Sequence, residues 1–360
     1  MRTFLMLAAG LCFMLAGSAF AFHDAGVAHC NGCHTMHNSE DGTLVDPDSP
    51  NGNAWLLKDA TPSDVCLSCH GDHLGSVFGD DPLAPPRLIG AGNFVFLLED
   101  NLNDGHGGGD TLDDGSWAEA IPGDAAGHNI VAPSRGIAAD ATLAAGPGGA
   151  FPASALGCSS CHDPHGNTNF RMLYGQGRTV QDGLYTFTND APDAAGGPSL
   201  FFGGGESNGN HTAYKSGMSG WCGNCHGDFH ANNTKLIHKS DAAIGGTLAT
   251  AYNLYNGTHD QLGGSQLTAY LAAVPFEDAG AATNSTVGPT ATSKVMCLTC
   301  HRAHATSAPN AGRWDFSVTL LDEDGHESGS YAIPNAYGNP NQRSLCNKCH
   351  VKDVDDHITP

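Results

Sequence analysis

Twelve of the thirteen cysteines lie in six short runs that share the pattern C-x-x-C-H. The cysteine pairs are Cys30 and Cys33, Cys66 and Cys69, Cys158 and Cys161, Cys222 and Cys225, Cys297 and Cys300, and Cys346 and Cys349. The histidines that follow them are His34, His70, His162, His226, His301 and His350. On one helical turn, residues i, i+3 and i+4 share a face. The two cysteines can then bond to a porphyrin while the histidine binds its iron, so we predict six covalently attached c-type haems.

Zinc sites and disulfides are the other common uses of paired cysteines. Only 20 of the 360 residues are histidine, so a chance histidine after all six pairs is negligible. The remaining cysteine, Cys12, lies in an apolar leader, which leaves no cysteine outside a motif to build a disulfide framework. The haem interpretation is therefore favoured.

The second ligand of each iron is less directly specified. His37, His73, His165 and His304 lie three residues after a motif histidine, and His230 lies four after one. A residue there points to the same side of the porphyrin as the motif histidine and cannot reach the opposite face of that iron. If it binds iron it serves a different haem; the alternative is a surface or propionate-binding histidine. Irons bound by histidine on both sides have no open position, which favours low-potential electron transfer and a protein that is not an enzyme.

The first residues have the features of a secretory signal peptide. Arg2 precedes an apolar run, and Ala19-Phe20-Ala21 forms a cleavage site, so we predict a signal peptide over 1–21 and a mature chain over 22–360. No later apolar run approaches the roughly 20 residues needed to span a bilayer. We therefore expect an exported protein that is not membrane-spanning.

Without Arg2 the chain has 14 basic and 37 acidic residues, a formal charge of −23. This charge disfavours nucleic acid and favours cationic partners, metal ions or mineral surfaces. The alternative is that the acidity serves only to keep an exported protein soluble. We expect outer-membrane electron-transfer partners and extracellular acceptors such as metal oxides.

The composition predicts a mostly irregular fold with short α-helices and few strands. The chain has 48 glycines and 19 prolines but only 8% aromatic residues, which disfavours long regular elements. We predict a single multihaem domain wrapped around a continuous haem chain. Short helices are expected at the motifs and at 243–256 and 264–274, and surface loops at 99–127 and 190–210.

Blocks of sequence around the motifs resemble the OmcS-type filament-forming hexahaem cytochromes. They occur in the same order from end to end: 22–23, 30–39, 127–131, 158–166, 218–222, 273–277, 297–305 and 345–350. The resemblance implies head-to-tail polymerisation into extracellular filaments with an unbroken haem chain. It also implies that His37 binds a haem of the neighbouring subunit, the one attached beside His301.

The resemblance further implies a set of second ligands to iron: His23, His37, His128, His165, His238 and His304. His230 competes for one of these places, and His73 is held in reserve. His106, His211, His259, His326 and His357 have no counterpart and are expected at the surface. Two alternatives to a filament subunit remain open: a discrete soluble electron shuttle, and a multihaem reductase with an open iron.

Overall fold

A computed structural model describes residues 29–71, 77–79, 90–98, 125–180, 183–197, 206–230, 238–257, 263–306, 308–314, 316, 336–338 and 342–350. Most of this backbone is irregular. The α-helices are α1 Pro62–His70, α2 Cys158–Cys161, α3 Met218–Cys222, α4 Gly245–Leu254 and α5 Cys297–Cys300. The 3-10 helices are Cys30–Gly32, Ala54–Leu56, Phe94–Leu98, Pro133–Arg135, Ala153–Ala155, Phe170–Met172, Gly227–Phe229, Gln266–Thr268, Pro309–Ala311 and Leu345–Lys348.

The strands are two to four residues long and form antiparallel pairs. They are β1 Ser39–Glu40 with β2 Thr43–Leu44, β3 Thr179–Val180 with β4 Tyr185–Thr186, β5 Asp193–Ala195 with β6 Ala213–Ser216, and β7 Ala242–Ala243 with β8 Lys294–Val295. Such pairs fasten loops to one another and do not build a sheet-based core. The predicted fold class, irregular backbone with short helices and few strands, is confirmed.

The α1 helix shows how a motif is positioned. Thr61 caps its first turn by accepting a hydrogen bond from the Asp64 backbone N–H at 3.2 Å. Pro62 occupies the first helical position, where its missing N–H costs nothing. Leu67 lies inside the second motif and is fully buried. Local capping and one buried side chain therefore hold this attachment site against the protein.

The apolar side chains of the described residues form four separate clusters around the motifs. The largest contains Leu67, Phe94, Val95, Phe96 and Ile130, and it packs beside the second and third motifs. A second gathers Tyr252, Tyr270, Phe276, Trp314 and Leu345 beside the fifth and sixth. Two smaller clusters accompany the third to fifth motifs. This division is typical of a chain whose interior is completed by bound porphyrin.

Two of the predicted segments differ from the structure. The helix predicted over 243–256 is present as α4, but 264–274 contains only the turn at 266–268. Its residues 269–272 are all buried, so no polar face exists to set a helical period. Their N–H groups bond instead to separate partners: Thr286 O, Tyr252 Oη and Asn208 Oδ1.

The loop predicted over 190–210 is wrong at 193–195. These residues form β5, because their N–H and C=O groups pair with β6. The loop predicted over 99–127 lies outside the described residues up to 124.

Candidate haem-binding sites

Consecutive motifs lie next to each other in chain order. The first cysteines of motifs two and three, Cys66 and Cys158, form a side-chain hydrogen bond, and those of motifs four and five, Cys222 and Cys297, form another. In a c-type cytochrome these sulfurs bond to haem as thioethers. The contacts therefore report how close the attachment points lie.

The remaining neighbouring motifs lie close enough for their cysteines to interact electrostatically. These are motifs one and two, three and four, and five and six: Cys33 with Cys69, Cys161 with Cys225, and Cys300 with Cys346 and Cys349. In each case burial is the larger cause of the raised thiol pKa, and the neighbouring thiols add to it. Each motif therefore lies near the next motif along the chain, and the first cysteines hydrogen-bond between motifs two and three and between motifs four and five.

The first-cysteine contacts at motifs two to three and four to five share one design. Ser63 and Ser219 each lie three residues before the first cysteine of their motif, and both are buried. Ser63 Oγ accepts a hydrogen bond from Cys158 N at 3.2 Å, and Ser219 Oγ accepts one from Cys297 N at 3.2 Å. The same serine-to-backbone hydrogen bond therefore joins motif two to motif three and motif four to motif five.

Four motif histidines have a backbone carbonyl against ring atom Nδ1. The distances are 2.9 Å from His34 to Trp55 O, 2.8 Å from His162 to Arg171 O, 2.7 Å from His226 to Pro147 O, and 2.9 Å from His301 to Asn310 O. A carbonyl oxygen can only accept, so Nδ1 carries the proton in each ring. The Nε2 lone pair is then available to a metal, which is the usual arrangement of metal-binding histidines. Sequence reasoning did not identify these carbonyls, because they come from residues 9 to 79 positions away.

Two glycines allow the chain to approach the motifs closely enough for such contacts. A Cβ on Gly149 would overlap the carbonyl of Cys225, so only glycine lets the segment with Pro147 reach His226. A Cβ on Gly127 would overlap the carbonyl of His304. This second approach lets His128 N donate to His304 O at 3.0 Å.

Two predicted second ligands lie opposite motif histidines. The ring centroids of His128 and His226 are 5.9 Å apart, and those of His238 and His350 are also 5.9 Å apart. With metal–imidazole bonds of about 2.0 Å and about 1.2 Å from each nitrogen to its ring centroid, two imidazoles on opposite sides of one iron have centroids about 6.4 Å apart. His128 also directs Nδ1 at Ala303 O, at 2.7 Å, which leaves its Nε2 to face outward. Both pairs therefore lie within about 0.5 Å of the spacing that one iron between them requires.

His304 and His230 lie beside other motifs. Burial lowers the pKa of His304 to about 3, and the charge of nearby His162 is the next largest cause. The His304 ring is therefore neutral, as an iron ligand must be. The His304 ring stacks on Phe94 with centroids 4.5 Å apart. His230 packs against Gly223 of the fourth motif, and its Nε2 is buried with no hydrogen-bond partner among the described residues. Such an orphaned ring nitrogen fits a ligand to an absent metal.

The structure brings other predicted ligands to the surface. His37 is exposed, and the His165 side chain is 81% exposed, with Nδ1 3.9 Å from Asp163 Oδ1. Within the described part of the chain, no ring contact pairs either one with a motif histidine. His23 and His73 lie outside the described residues, as do His106, His259, His326 and His357.

His211 corrects one expectation, because it is buried and not a surface residue. Its Nδ1 lies 3.1 Å from Thr212 O and its Nε2 lies 3.0 Å from Ser285 O. The ring stacks on Tyr270 with centroids 3.8 Å apart. Ser285 and Tyr270 come from distant segments of the chain, so nothing local in the sequence distinguishes this histidine from an exposed one.

A buried lysine accompanies the sixth motif. Lys348 is fully buried, and its Nζ donates to Tyr252 O at 2.9 Å and Ala269 O at 3.0 Å. The ammonium lies 4.1 Å from the Tyr252 ring centroid, a favourable cation–π distance. Burial lowers the pKa of Lys348 to about 7, whereas the carbonyls and the ring favour the charged form.

The ligands present fit haem iron. Among the residues that the structure describes, no three or more histidine, cysteine, aspartate or glutamate side chains are grouped as a metal-ion site. Two facing histidines are sufficient for haem, since the porphyrin supplies the other four nitrogens. No described helix is long and apolar enough to cross a membrane. A row of C-x-x-C-H motifs, with imidazole nitrogens free to bind iron, defines a multihaem c-type cytochrome.

Comparison with known proteins identifies the family. The family described as "Doubled CXXCH motif" matches residues 151–182, around the third motif. C-type cytochrome OmcS from Geobacter sulfurreducens is 34% identical over 440 aligned residues, which cover 98% of this chain and 99% of that protein. This chain therefore belongs to the OmcS family of c-type cytochromes, and the resemblance seen in the sequence is confirmed.

The solved structures agree. The structure titled "Cryo-EM of the OmcS nanowires from Geobacter sulfurreducens" matches with a TM-score of 0.77 and 31% identity. A second, titled "Outer Membrane Cytochrome S Filament from Geobacter Sulfurreducens", matches with a TM-score of 0.74 and 30% identity. Each match covers 92% of this chain and 100% of the other. The protein is thus an electron-transfer cytochrome that carries covalently bound haem.

Proposed function

We propose that this protein carries electrons outside the cell through six covalently attached haems, as the subunit of a head-to-tail cytochrome filament. The observation that carries the proposal is the facing of imidazoles at 5.9 Å, in His128 with His226 and His238 with His350. Two histidines per iron leave no position for a substrate, which favours electron transfer over catalysis. Haem iron supplies a one-electron couple whose potential is low when both axial ligands are histidine.

The contacts support particular second ligands. His128 serves the haem of motif four and His238 that of motif six, on the ring distances. His304 serves motif three, on its proximity to His162. His37 of a neighbouring subunit serves motif five, as the family resemblance implies. Motifs one and two are left to His23 and His165, and His230, which packs against the fourth motif, competes for one of the six places.

The alternation of motif contacts supports head-to-tail assembly. First-cysteine contacts join motifs two to three and four to five inside the chain. Cys30 and Cys346, the first cysteines of the end motifs, form no first-cysteine hydrogen bond among the described residues, although Cys346 lies near Cys300, and both are exposed. The next contact of this kind would therefore join motif six of one subunit to motif one of the next.

The surface around the first motif supports the same assembly. Met36 is 78% exposed and Trp55 is 59% exposed, and His37 lies beside Met36 in the sequence. Exposed apolar residues around a free imidazole are suited to a second copy of the chain. OmcS itself is described as forming nanowires.

Export and partners complete the proposal. A signal peptide over 1–21 would deliver a mature domain over 22–360 through the periplasm to the cell surface. There we propose transfer between outer-membrane electron-transfer partners and acceptors such as metal oxides. A discrete soluble shuttle is not favoured, because the structural relatives are filaments.

Replacement of His37 tests the proposal. His37→Ala should retain haem at all six motifs, open one iron to give a high-spin ferric signal, and abolish filaments in electron micrographs. His29→Ala is the matched control, since His29 is also exposed near the first motif and has no assigned iron. Unchanged filaments in His37→Ala would refute its bridging role.

A further inference from the structure

Three motif histidines are held by the same local structure, a turn made of two consecutive residues in the left-handed conformation. The pairs are Trp55 and Leu56 (φ 52° and 57°), Arg171 and Met172 (φ 52° and 56°), and Asn310 and Ala311 (φ 59° and 53°). In all three, the residue after the pair returns to an extended conformation. The turns belong to motifs one, three and five.

Each turn makes the same three hydrogen bonds to its motif. The first carbonyl of the pair accepts from Nδ1 of the motif histidine, at 2.8 to 2.9 Å. The second carbonyl accepts from the backbone N–H of the residue after that histidine: Leu56 O from Thr35 N, Met172 O from Asp163 N, and Ala311 O from Arg302 N. The third bond runs from the residue two places after the pair to the second cysteine: Lys58 N to Cys33 O, Tyr174 N to Cys161 O, and Arg313 N to Cys300 O.

The helical conformation of each pair, which is left-handed in all three turns, is what makes the first two bonds possible together. In an extended chain successive carbonyls point in opposite directions, whereas in a helical turn they point the same way. Two helical residues therefore present adjacent oxygens to the imidazole and to the next N–H. Residues with side chains rarely adopt the left-handed form, so its recurrence indicates that the surroundings impose it.

Neither side-chain preference nor packing accounts for these turns. Among the six residues only asparagine commonly adopts positive φ, and the three pairs share no residue type. The first residue of each pair is exposed: Trp55, Arg171 and Asn310. The spacing from histidine to turn is 9 residues at motifs three and five but 21 at motif one, so a fixed loop length does not define the turn. What the three share is the carbonyl on Nδ1.

We propose that these left-handed pairs are positioning residues that set the orientation and the donor strength of the iron-binding imidazoles of motifs one, three and five. A hydrogen bond from Nδ1–H to a carbonyl fixes the ring and makes Nε2 a stronger donor. A stronger donor stabilises ferric over ferrous iron and lowers the potential of that haem. The proposal rests on the proposed function, since it takes His34, His162 and His301 as iron ligands.

Valine and glycine substitutions at the exposed first residues separate backbone conformation from side-chain loss. Valine is β-branched and disfavours positive φ, whereas glycine adopts it freely. The variants are Trp55→Val, Arg171→Val and Asn310→Val, each paired with its glycine counterpart in the purified holoprotein. Leu44→Val is the control, because Leu44 is exposed on strand β2, where valine is accommodated.

The readouts are haem content, the low-spin ferric spectrum and a spectroscopic redox titration. Each valine variant should raise the midpoint of one haem among the six motifs and alter one low-spin signal, and the triple valine variant should affect three. Arg171→Gly, Asn310→Gly and Leu44→Val should match the unsubstituted protein. Trp55→Val is compared with Trp55→Gly alone, because Trp55 also lies on the proposed subunit contact. Loss of one haem from a valine variant alone also supports the proposal, because the matched glycine protein retains it.

Two results overturn the proposal. Valine and glycine variants that behave alike, whether both changed or both unchanged, mean that the conformation of the turn does not set the ligand. Loss of the same haem from both the valine variant and its glycine counterpart would also overturn the proposal. A high-spin signal in the unsubstituted protein instead contradicts the proposed function, so the two failures are distinguishable.

Discussion

Glu277 offers a sharp test of how distant residues hold a haem attachment site. Helix α3 carries the first cysteine of motif four, and its own N-cap residue, Gly217, has no side chain to cap it. Glu277 does so from 59 positions away, because its Oε1 accepts a hydrogen bond from Met218 N at 2.6 Å. The carboxylate is only 1% exposed. Replacement by alanine therefore leaves a buried N–H without an acceptor.

The size of the effect follows from this geometry. A hydrogen bond to a charged group contributes about 1.5–3 kcal/mol, and an unsatisfied buried donor costs about 1–3 kcal/mol. Since these figures describe the same bond, we expect Glu277→Ala to lower the free energy of unfolding by about 2–3 kcal/mol. Glu277→Gln keeps an acceptor oxygen in place and should cost less than about 1 kcal/mol.

Denaturant unfolding of the oxidised holoprotein, followed by Soret circular dichroism, measures the difference. Glu40→Ala is the control, because the Glu40 side chain is 61% exposed in an ion pair with Lys58, and such pairs contribute about 0–1 kcal/mol. A Glu277→Ala protein as stable as the control would refute the capping role.

The same residue predicts a dependence on pH. Burial raises the pKa of Glu277 above its ordinary value of 4.5. A carboxyl group with a raised folded-state pKa favours folding most below its unfolded pKa, and this contribution is lost as the pH rises through the folded pKa. Stability should therefore fall as the pH is raised from about 4 through the acid range. Glu277→Gln should remove this component, and an unchanged pH profile would contradict the assignment.

Three further predictions follow from the contacts around the motifs. Ser63→Ala and Ser219→Ala should each lower the free energy of unfolding by about 1 kcal/mol. The two effects should add in the double variant, because the serines join different pairs of motifs. Urea unfolding measures the change, and variants as stable as the unsubstituted protein would contradict the prediction. Lys348→Met should lower the midpoint reduction potential of one haem by tens of millivolts, since about 59 mV corresponds to a tenfold change in the equilibrium constant for one electron. A redox titration measures the potential, and a rise in it would contradict the prediction. His128→Ala should convert one low-spin ferric haem to high spin, and an unchanged ferric spectrum would exclude His128 as a ligand.

Local features of the fold could be predicted from the sequence. The motif spacing predicts a helical turn at each attachment site, and the apolar period over 243–256 predicts α4. Abundant glycine and proline predict the irregular remainder. These sequence patterns lie within a few residues of the elements that they predict, so the prediction does not depend on residues that are distant in the chain.

Long-range features could not be predicted. Residues 270–272 do not continue the helical turn at 266–268, because their backbone N–H groups bond to partners in three other segments. His211 is buried because Ser285, 74 positions away, accepts from its ring. The assignment of His128 to motif four depends on ring positions nearly 100 residues apart in the chain. Histidine spacing could show only that a histidine beside one haem must serve another.

The left-handed pairs illustrate the same limit. Trp55 and Leu56 have no intrinsic preference for positive φ, and each such residue costs about 1–2 kcal/mol. Hydrogen bonds to a motif at a different place in the chain impose the conformation. A sequence signal would have to relate three turns that share no residue type.

The most direct test of the account is the ferric electron paramagnetic resonance spectrum of the purified protein, quantified against its haem content. Six motifs with histidine on both sides of every iron predict six low-spin haems and no high-spin signal. The measurement belongs on assembled filaments, where His37 of each subunit has a neighbouring haem to bind. A high-spin signal from any of the six haems would mean an open iron and would contradict a saturated chain for electron conduction.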